Sequence, residues 1–235
     1  MHRPGDGRVN GIFLTGTDTG CGKTCVGVAL AEAARAQGLR VRVLKPVETG
    51  CEERNGALVP ADAIRLAEAA QDRRGLDLIC PYRLRLPAAP DVAARKQGVE
   101  IDPARIEKLY HEASAQADLV LIEGAGGLLV PLGPGLDMAG LARRSGWPLL
   151  LVARARLGTL NHTLLSLEAA RTRGLRVLGV VVSQTTPELP DAERANLEGL
   201  LARLPVPFLG ELPFGGRRLV PELDPGALLD ALARA

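Results

Sequence analysis

Residues 16–24 read Gly-Thr-Asp-Thr-Gly-Cys-Gly-Lys-Thr, and this stretch decides the fold class. It follows the apolar run Ile12-Phe13-Leu14 and precedes a helical pattern, which is the strand–loop–helix context of a phosphate-binding loop. In such a loop the backbone N–H groups cradle phosphates, the lysine reaches the β- and γ-phosphates, and the threonine hydroxyl holds Mg²⁺. The strict motif has a glycine where this chain has Thr17. The alternative is a Gly-rich turn with a solvated lysine, but the flanking strand and helix favour phosphate binding.

Apolar runs alternate with helical patterns along the chain. The runs predict strands at 11–15, 41–45, 119–123, 149–153, 177–183 and, more weakly, 207–210. Helices are predicted at about 23–37, 61–71, 103–117, 136–144, 161–173 and 192–204, with a short last helix after a loop at 212–226. Continuous apolar strands are typical of a parallel sheet that is covered on both faces. The sequence therefore predicts a doubly wound α/β fold, mostly parallel and P-loop NTPase-like, in a single domain spanning residues 1–235.

Length and charge indicate a soluble enzyme. The chain has 235 residues, 29 basic and 27 acidic side chains and a formal net charge of +2, so nothing in its charge points to nucleic acid. Its longest apolar stretch, residues 148–153, is too short to span a bilayer. The four cysteines lack metal-ligand spacing and are expected to be free thiols. We expect a cytoplasmic protein without nucleic-acid or membrane partners.

Ligands of a doubly wound sheet bind at the carboxyl ends of its strands, and polar segments follow four of the predicted strands. Lys45 ends one of them, and a buried lysine there needs an anion, unless its side chain reaches solvent. Glu123 ends another and could ligate Mg²⁺ or cap the glycine turn that follows it. Asp62, two residues after Pro60, could be a metal ligand or a helix N-terminal carboxylate that the dipole stabilises.

A series of short motifs carries a resemblance to a known family. The motifs are, in order, Gly16-Thr17-Asp18-Thr19, Gly22-Lys23-Thr24, Lys45-Pro46-Val47, Asp62, Pro81-Tyr82, Glu123-Gly124-Ala125-Gly126-Gly127, Leu157-Gly158, Asn161-His162 and Gly210-Glu211-Leu212-Pro213. In this combination they resemble the dethiobiotin synthetases, the ATP-dependent ring-closing enzymes of biotin synthesis. The resemblance covers most of the chain.

The resemblance implies a reaction, a cofactor and an assembly. The substrates would be 7,8-diaminononanoate, CO₂ and ATP, with Mg²⁺ as cofactor. CO₂ would be taken up as a carbamate on one amine, the carbamate would attack the γ-phosphate to give a carbamic-phosphoric anhydride, and the second amine would close the ureido ring. The family also implies a homodimer with its active sites at the subunit interface.

The resemblance assigns roles to residues as well. Lys45 and Lys23 would be catalytic, and Thr24, Asp62 and Glu123 would hold the metal. The nucleotide-binding residues would be Gly20, Cys21, Gly22, Lys23, Thr24, Cys25, Asp62, Glu123, Gly124, Ala125, Gly126, Ser183, Gln184, Pro213, Phe214 and Gly215. The substrate-binding residues would be Thr19, Lys45, Thr49 and Gly126 together with Leu157, Gly158, Thr159 and Asn161, of which the last four would come from the partner subunit and receive the far carboxylate.

This chain departs from the family pattern at three places. Thr49 stands where the family often has serine, which keeps the hydroxyl. Ser183-Gln184 stands where an asparagine commonly reads adenine, so we expect loose selectivity among nucleoside triphosphates. Ala89-Pro90-Asp91 replaces Ser-Pro-His near the diamine site.

Two other classes share the nucleotide half of the pattern. A P-loop amide synthase of the cobalamin type would need a glutaminase domain, for which 235 residues leave no room. A membrane-recruited ATPase switch of the deviant P-loop class would carry a second lysine early in the loop, where this chain has Asp18. It would also need a terminal amphipathic helix, for which residues 225–235 are short and weakly basic. A product assay with the diamine separates the three.

Overall fold

A computed structural model describes residues 10–224 of the chain, and a six-stranded sheet forms its centre. The strands are β1 (Gly11–Gly16), β2 (Val41–Leu44), β3 (Val47–Thr49), β4 (Glu52–Arg54), β5 (Ala57–Val59), β6 (Tyr82–Leu84), β7 (Leu119–Gly127), β8 (Pro131–Gly133), β9 (Leu136–Asp137), β10 (Leu149–Arg154), β11 (Val177–Ser183) and β12 (Phe208–Leu212). The helices are α1 (Lys23–Ala36), α2 (Ala61–Ala70), α3 (Leu76–Ile79), α4 (Pro90–Gln97), α5 (Pro103–Ser114), α6 (Met138–Ser145), α7 (Thr159–Thr172) and α8 (Asp191–Leu201).

The central sheet is entirely parallel and runs in the order β12-β11-β10-β1-β7-β2. Alternate side chains of its strands point to opposite faces, as the pleat requires. Ile12 and Leu14 pack in one hydrophobic cluster with α1 and α2, whereas Phe13 packs in another with α5 and α6. Helices therefore cover both faces of the sheet, which confirms the predicted doubly wound α/β class.

The sheet order brings the candidate residues together. The strand β1, which leads into the phosphate loop, lies between β10 and β7. The strand β2, which leads to Lys45, lies on the far side of β7, which carries Glu123. Parallel strands end at one edge of the sheet, so these segments meet there.

Several element boundaries differ from those that the sequence predicted. β7 runs four residues past Glu123, because the glycine-rich segment continues the ladder and Gly127 pairs with Gly16 of β1. The predicted helix at 136–144 begins at Met138, after the two residues of β9. The three-residue strands β3 to β6 and the helix α4 were not predicted. The helix predicted after residue 226 lies outside the described residues. None of the helices between residues 10 and 224 combines the length and the apolar character that crossing a bilayer demands.

Candidate active site

The end of the phosphate loop leaves the first turn of α1 without a side-chain cap. Gly22 forms the N-cap of α1 and, like Gly20, has a positive φ, of 94° and 70° respectively. Because Gly22 has no side chain to cap the helix, the N–H groups of the first turn are left for an anion. At the start of the loop, a Cβ on Gly16 would collide with the Cys21 sulfur, so a glycine is needed there although the strict motif has it at position 17.

Lys23 is buried against this loop. Its Nζ donates a hydrogen bond to the Asp18 carbonyl oxygen at 2.9 Å and lies 3.9 Å from the Cys21 sulfur. Since a carbonyl is a weak partner for an ammonium group, a phosphate oxygen can replace it without leaving a buried charge unpaired. The loop is thus arranged to bring a positive charge to a polyphosphate.

An ionic cluster forms where Lys45 meets Glu123. Lys45 Nζ contacts the Glu123 carboxylate and lies 3.4 Å from Asp62 Oδ2, while Thr24 Oγ1 donates to Glu123 Oε1 at 3.0 Å. Burial by itself would lower the pKa of Lys45, but Glu123 and Asp62 more than offset this and hold the pKa above its usual value. Lys45 therefore stays charged, and its side chain does not reach solvent.

The same cluster fits Mg²⁺. Glu123 is 1% exposed, and its Oε2 has no hydrogen-bond partner among residues 10–224. A buried carboxylate oxygen without a partner is costly unless a cation binds it. Thr24, Asp62 and Glu123 supply hydroxyl and carboxylate oxygens, which are the ligands that Mg²⁺ prefers in proteins.

Glu48 belongs to this region but received no role from the sequence. It is 6% exposed, and its two carboxylate oxygens accept hydrogen bonds from the N–H groups of Asp62 and Ala63, each at 3.0 Å. Burial raises the pKa of Glu48, although the two N–H donors act in the opposite direction. The signal in the sequence that could have indicated a role for Glu48 is its position between Val47 and Thr49, just after the predicted strand that ends at Lys45.

These groups open into a cavity of about 1040 Å³, at the upper end of the range for small-molecule sites. Most of the predicted residues line it, namely Thr19, Gly20, Gly22, Lys23, Thr24, Cys25, Lys45, Thr49, Asp62, Glu123, Ala125, Gly126, Ser183, Gln184, Pro213, Phe214 and Gly215. The sequence missed further residues of the lining, among them Glu48, Arg65, Pro87, Ala88, Val130, Thr185 and Arg217. Ala89 and Pro90, which the resemblance places near the diamine site, also line the cavity. Cys21 and Gly124 are buried and do not line the cavity.

Three of the lining residues, Ser183, Gln184 and Phe214, are ones that the resemblance assigns to nucleotide binding. Phe214 is half-exposed, and Gln184 is held because its side-chain amide donates to the Glu211 carboxylate. Ser183 is buried under the phosphate loop, where a Cβ on Gly22 would collide with its hydroxyl. The serine therefore packs against the loop.

The remaining predicted substrate residues lie apart from this cavity. Leu157 is 73% exposed, and Asn161 is also exposed. Gly158 has a φ of 92° and forms the N-cap of α7, and Thr159 is buried behind it. Within one chain, these four residues do not line the cavity.

Comparisons with known proteins agree with this geometry. Residues 10–217 match a family model described as an AAA domain. The chain is 45% identical to the ATP-dependent dethiobiotin synthetase BioD of Aromatoleum aromaticum, over 86% of this chain and 89% of that protein. It is 39% identical to the protein of the same name from Thermodesulfovibrio yellowstonii (87% and 88%) and 37% identical to that of Xylella fastidiosa (94% and 95%).

Solved structures add evidence for the fold. The septum site-determining protein MinD of Pyrococcus horikoshii, complexed with Mg-ADP, aligns with a TM-score of 0.52 at 20% identity, over 87% of this chain and 81% of that one. The signal recognition particle receptor FtsY of Elizabethkingia anophelis aligns with a TM-score of 0.55 at 18% identity, over 97% and 66%. At these identities the likeness supports the P-loop NTPase fold alone.

Proposed function

Because this chain belongs to the family of ATP-dependent dethiobiotin synthetases, we propose that its cavity is the site where 7,8-diaminononanoate, CO₂ and ATP are converted to dethiobiotin, ADP and phosphate. The chain is an ATP-dependent ligase that closes the ureido ring. The observation that carries the assignment of the site is the meeting of the phosphate loop, Lys45 and Glu123 in one cavity.

Mg²⁺ would be held by Thr24, Asp62 and Glu123. The partnerless Glu123 oxygen and the oxygen-rich donor set support this assignment. When bound, the ion would offset the negative charge of the transferring phosphoryl group.

The chain's own residues would then position the reactants. The loop from Gly20 to Thr24 would cradle the phosphates, and Lys23 would exchange the Asp18 carbonyl for a phosphate oxygen. Lys45 would orient the carbamate, whose oxygen attacks the γ-phosphorus as ADP leaves. In the second step, the free amine attacks the carbonyl carbon of the anhydride, phosphate leaves, and the amine loses a proton.

Small polar groups would surround the diamine. Thr19 and Thr49 line the same cavity and supply hydroxyl groups. Gly126 has a φ of 65°, and a Cβ there would lie 2.8 Å from Val130 Cγ2, so only glycine fits. Its N–H group can face an oxyanion without a side chain in the way.

The assembly is part of the same proposal. The substrate's far carboxylate would be received by Leu157, Gly158, Thr159 and Asn161 of the partner subunit in a homodimer. The position of this segment outside the cavity of its own chain supports that arrangement. Residues 1–235 would act as one synthetase domain in the cytoplasm.

A product assay tests the function. The purified protein with the diamine, bicarbonate, Mg²⁺ and ATP is expected to release phosphate and form a cyclic urea, which mass spectrometry identifies. The matched control omits the diamine. Phosphate release that is independent of the diamine would contradict a synthetase and favour a nucleotide switch.

A further inference from the structure

The first turn of α2 is capped by a residue that is distant in sequence. α2 begins at Ala61 after Pro60, whose side chain offers no hydrogen-bond acceptor. The N–H groups of Asp62 and Ala63 instead donate to the two oxygens of Glu48, 14 and 15 residues earlier. Helix N-termini expose N–H groups that need such partners. Glu48 therefore ties β3 to the start of α2.

The placement of Asp62 depends on this tie. The Asp62 side chain is 39% exposed, so packing alone restrains it weakly. Its carboxylate nevertheless lies 3.4 Å from Lys45 Nζ, beside Glu123. Glu48 accepts a hydrogen bond from the backbone N–H of Asp62 itself. This bond fixes the Asp62 backbone and therefore the point from which the Asp62 side chain extends.

The charge of Glu48 matters as well as its geometry. A neutral side chain would cap a helix adequately, whereas a carboxylate that is 6% exposed carries a desolvation cost. Glu48, Asp62 and Glu123 all act electrostatically on Lys45, and Asp62 and Glu123 also act on Arg65. Three carboxylates near two cationic side chains leave one negative charge that a bound cation can balance.

We propose that Glu48 is a positioning residue that holds Asp62 in place for Mg²⁺. This inference rests on the proposed function, since it takes Asp62 as a metal ligand. Glu48 does not touch the metal and acts through the first turn of α2. Partners that orient metal ligands in this way typically affect metal affinity by about 10–100-fold.

The test measures metal-dependent nucleotide binding without turnover. Calorimetry of a non-hydrolysable ATP analogue, with and without Mg²⁺, gives the factor by which Mg²⁺ strengthens binding. Glu48→Ala is expected to reduce this factor by roughly 10-fold or more without weakening Mg²⁺-free binding. Glu48→Gln keeps one acceptor oxygen and is expected to reduce the factor by less. It replaces Glu48→Ala in the test if that variant does not fold.

The matched control is Asp102→Ala. Asp102 caps α5 by accepting from the Ala104 N–H at 2.8 Å and does not line the cavity. The Asp102→Ala variant is expected to have a lower melting temperature, but Mg²⁺ should strengthen its nucleotide binding by the same factor as in the unmodified protein. A Glu48 variant that behaves like Asp102→Ala would overturn the inference. Diamine-dependent phosphate release by the unmodified protein is measured in parallel, so a failure of the proposed function is recognised separately.

Discussion

At the scale of single residues, the two lysines of the candidate active site differ in the groups that their side chains contact. Lys45 is paired with Glu123 and Asp62, across β7 from the phosphate loop, whereas Lys23 belongs to the loop itself. Lys45→Ala is expected to leave Mg-nucleotide binding largely intact and to reduce turnover by about 10²–10³-fold, because it would remove the preorganised cation proposed to stabilise the carbamate. Lys23→Ala is expected to reduce both nucleotide binding and turnover, because the proposed role of Lys23 is to contact the nucleotide in the ground and transition states alike.

Calorimetric titration with nucleotide and a phosphate-release assay distinguish the two lysines. Melting temperatures are needed as a control, since Lys45→Ala leaves Glu123 buried without its cation. An equal loss of nucleotide affinity in both variants would identify Lys45 as a nucleotide ligand and remove its carbamate role.

The residues expected to receive the nucleobase predict loose selectivity among nucleoside triphosphates. Ser183 packs beneath the phosphate loop, and the Gln184 amide is held by Glu211, so neither takes the place of an asparagine that reads adenine. Phe214 offers a stacking surface, which tolerates any base. Competition of ATP against CTP and GTP is expected to show preferences below about 100-fold, and a larger preference, about 2.7 kcal/mol or more, would contradict this. As a control, Phe214→Ala should weaken the binding of all three nucleotides.

The sequence predicted most residues that line the cavity but not how they are held. Lys45 and Glu123 could be located because each ends an apolar run, and strand ends converge in a parallel sheet. Glu48 could not, because its partners are N–H groups of Asp62 and Ala63, and hydrogen bonds between distant segments leave no periodic signal. The assigned roles themselves remain predictions.

At the scale of elements, length separates what could be predicted from what could not. β1, β7, β10 and β11 have six to nine residues and a continuous apolar pattern, which suffices to predict a strand. β3 and β6 have three residues each and exist because they pair with each other. Tertiary pairing of this kind overrides local propensity.

The junction between α2 and β2 predicts an acid-sensitive stability. Asp72 is buried, pairs with Arg42 and Arg74, and accepts from the Val43 N–H. Burial alone would raise the pKa of Asp72, but the Arg74 hydrogen bond and charge lower it below the usual value. Its contribution is therefore present above the unfolded-state pKa, near 3.9, and is lost as the pH falls through the lower folded-state pKa.

Urea unfolding of Asp72→Asn tests this junction. At pH 7 the variant is expected to lose about 3 kcal/mol of unfolding free energy, because two arginines lose their buried carboxylate. The difference in unfolding free energy between the variant and the unmodified protein should become smaller as the pH is lowered below 4. Glu168→Gln, which removes an exposed partner of Arg171, is the control and should change little. A difference that stays constant with pH would contradict the role of Asp72.

At the scale of the whole molecule, two exposed leucines flank the segment that would receive the far carboxylate in the proposed homodimer. Leu157 and Leu165 are large apolar side chains that are 73% and 60% exposed; Leu157 precedes the N-cap of α7, and Leu165 lies one helical turn after Asn161. A subunit interface of the proposed homodimer at this segment would remove both side chains from water. The same segment carries the predicted carboxylate site, so the dimer and the active site are expected to depend on each other.

Mixing two inactive variants tests whether each site is shared. Lys45→Ala removes the cation proposed to bind the carbamate, and Asn161→Asp places a negative charge where the far carboxylate is expected. Asn161 is exposed, so the fold should tolerate the second substitution. A mixed dimer would contain one site with Lys45 from one chain and Asn161 from the other. Random exchange gives mixed dimers in half of the assemblies, with one intact site of two, so about a quarter of the unmodified turnover should return. Turnover in the mixture that equals only the sum of the two variants would place the whole site within one chain.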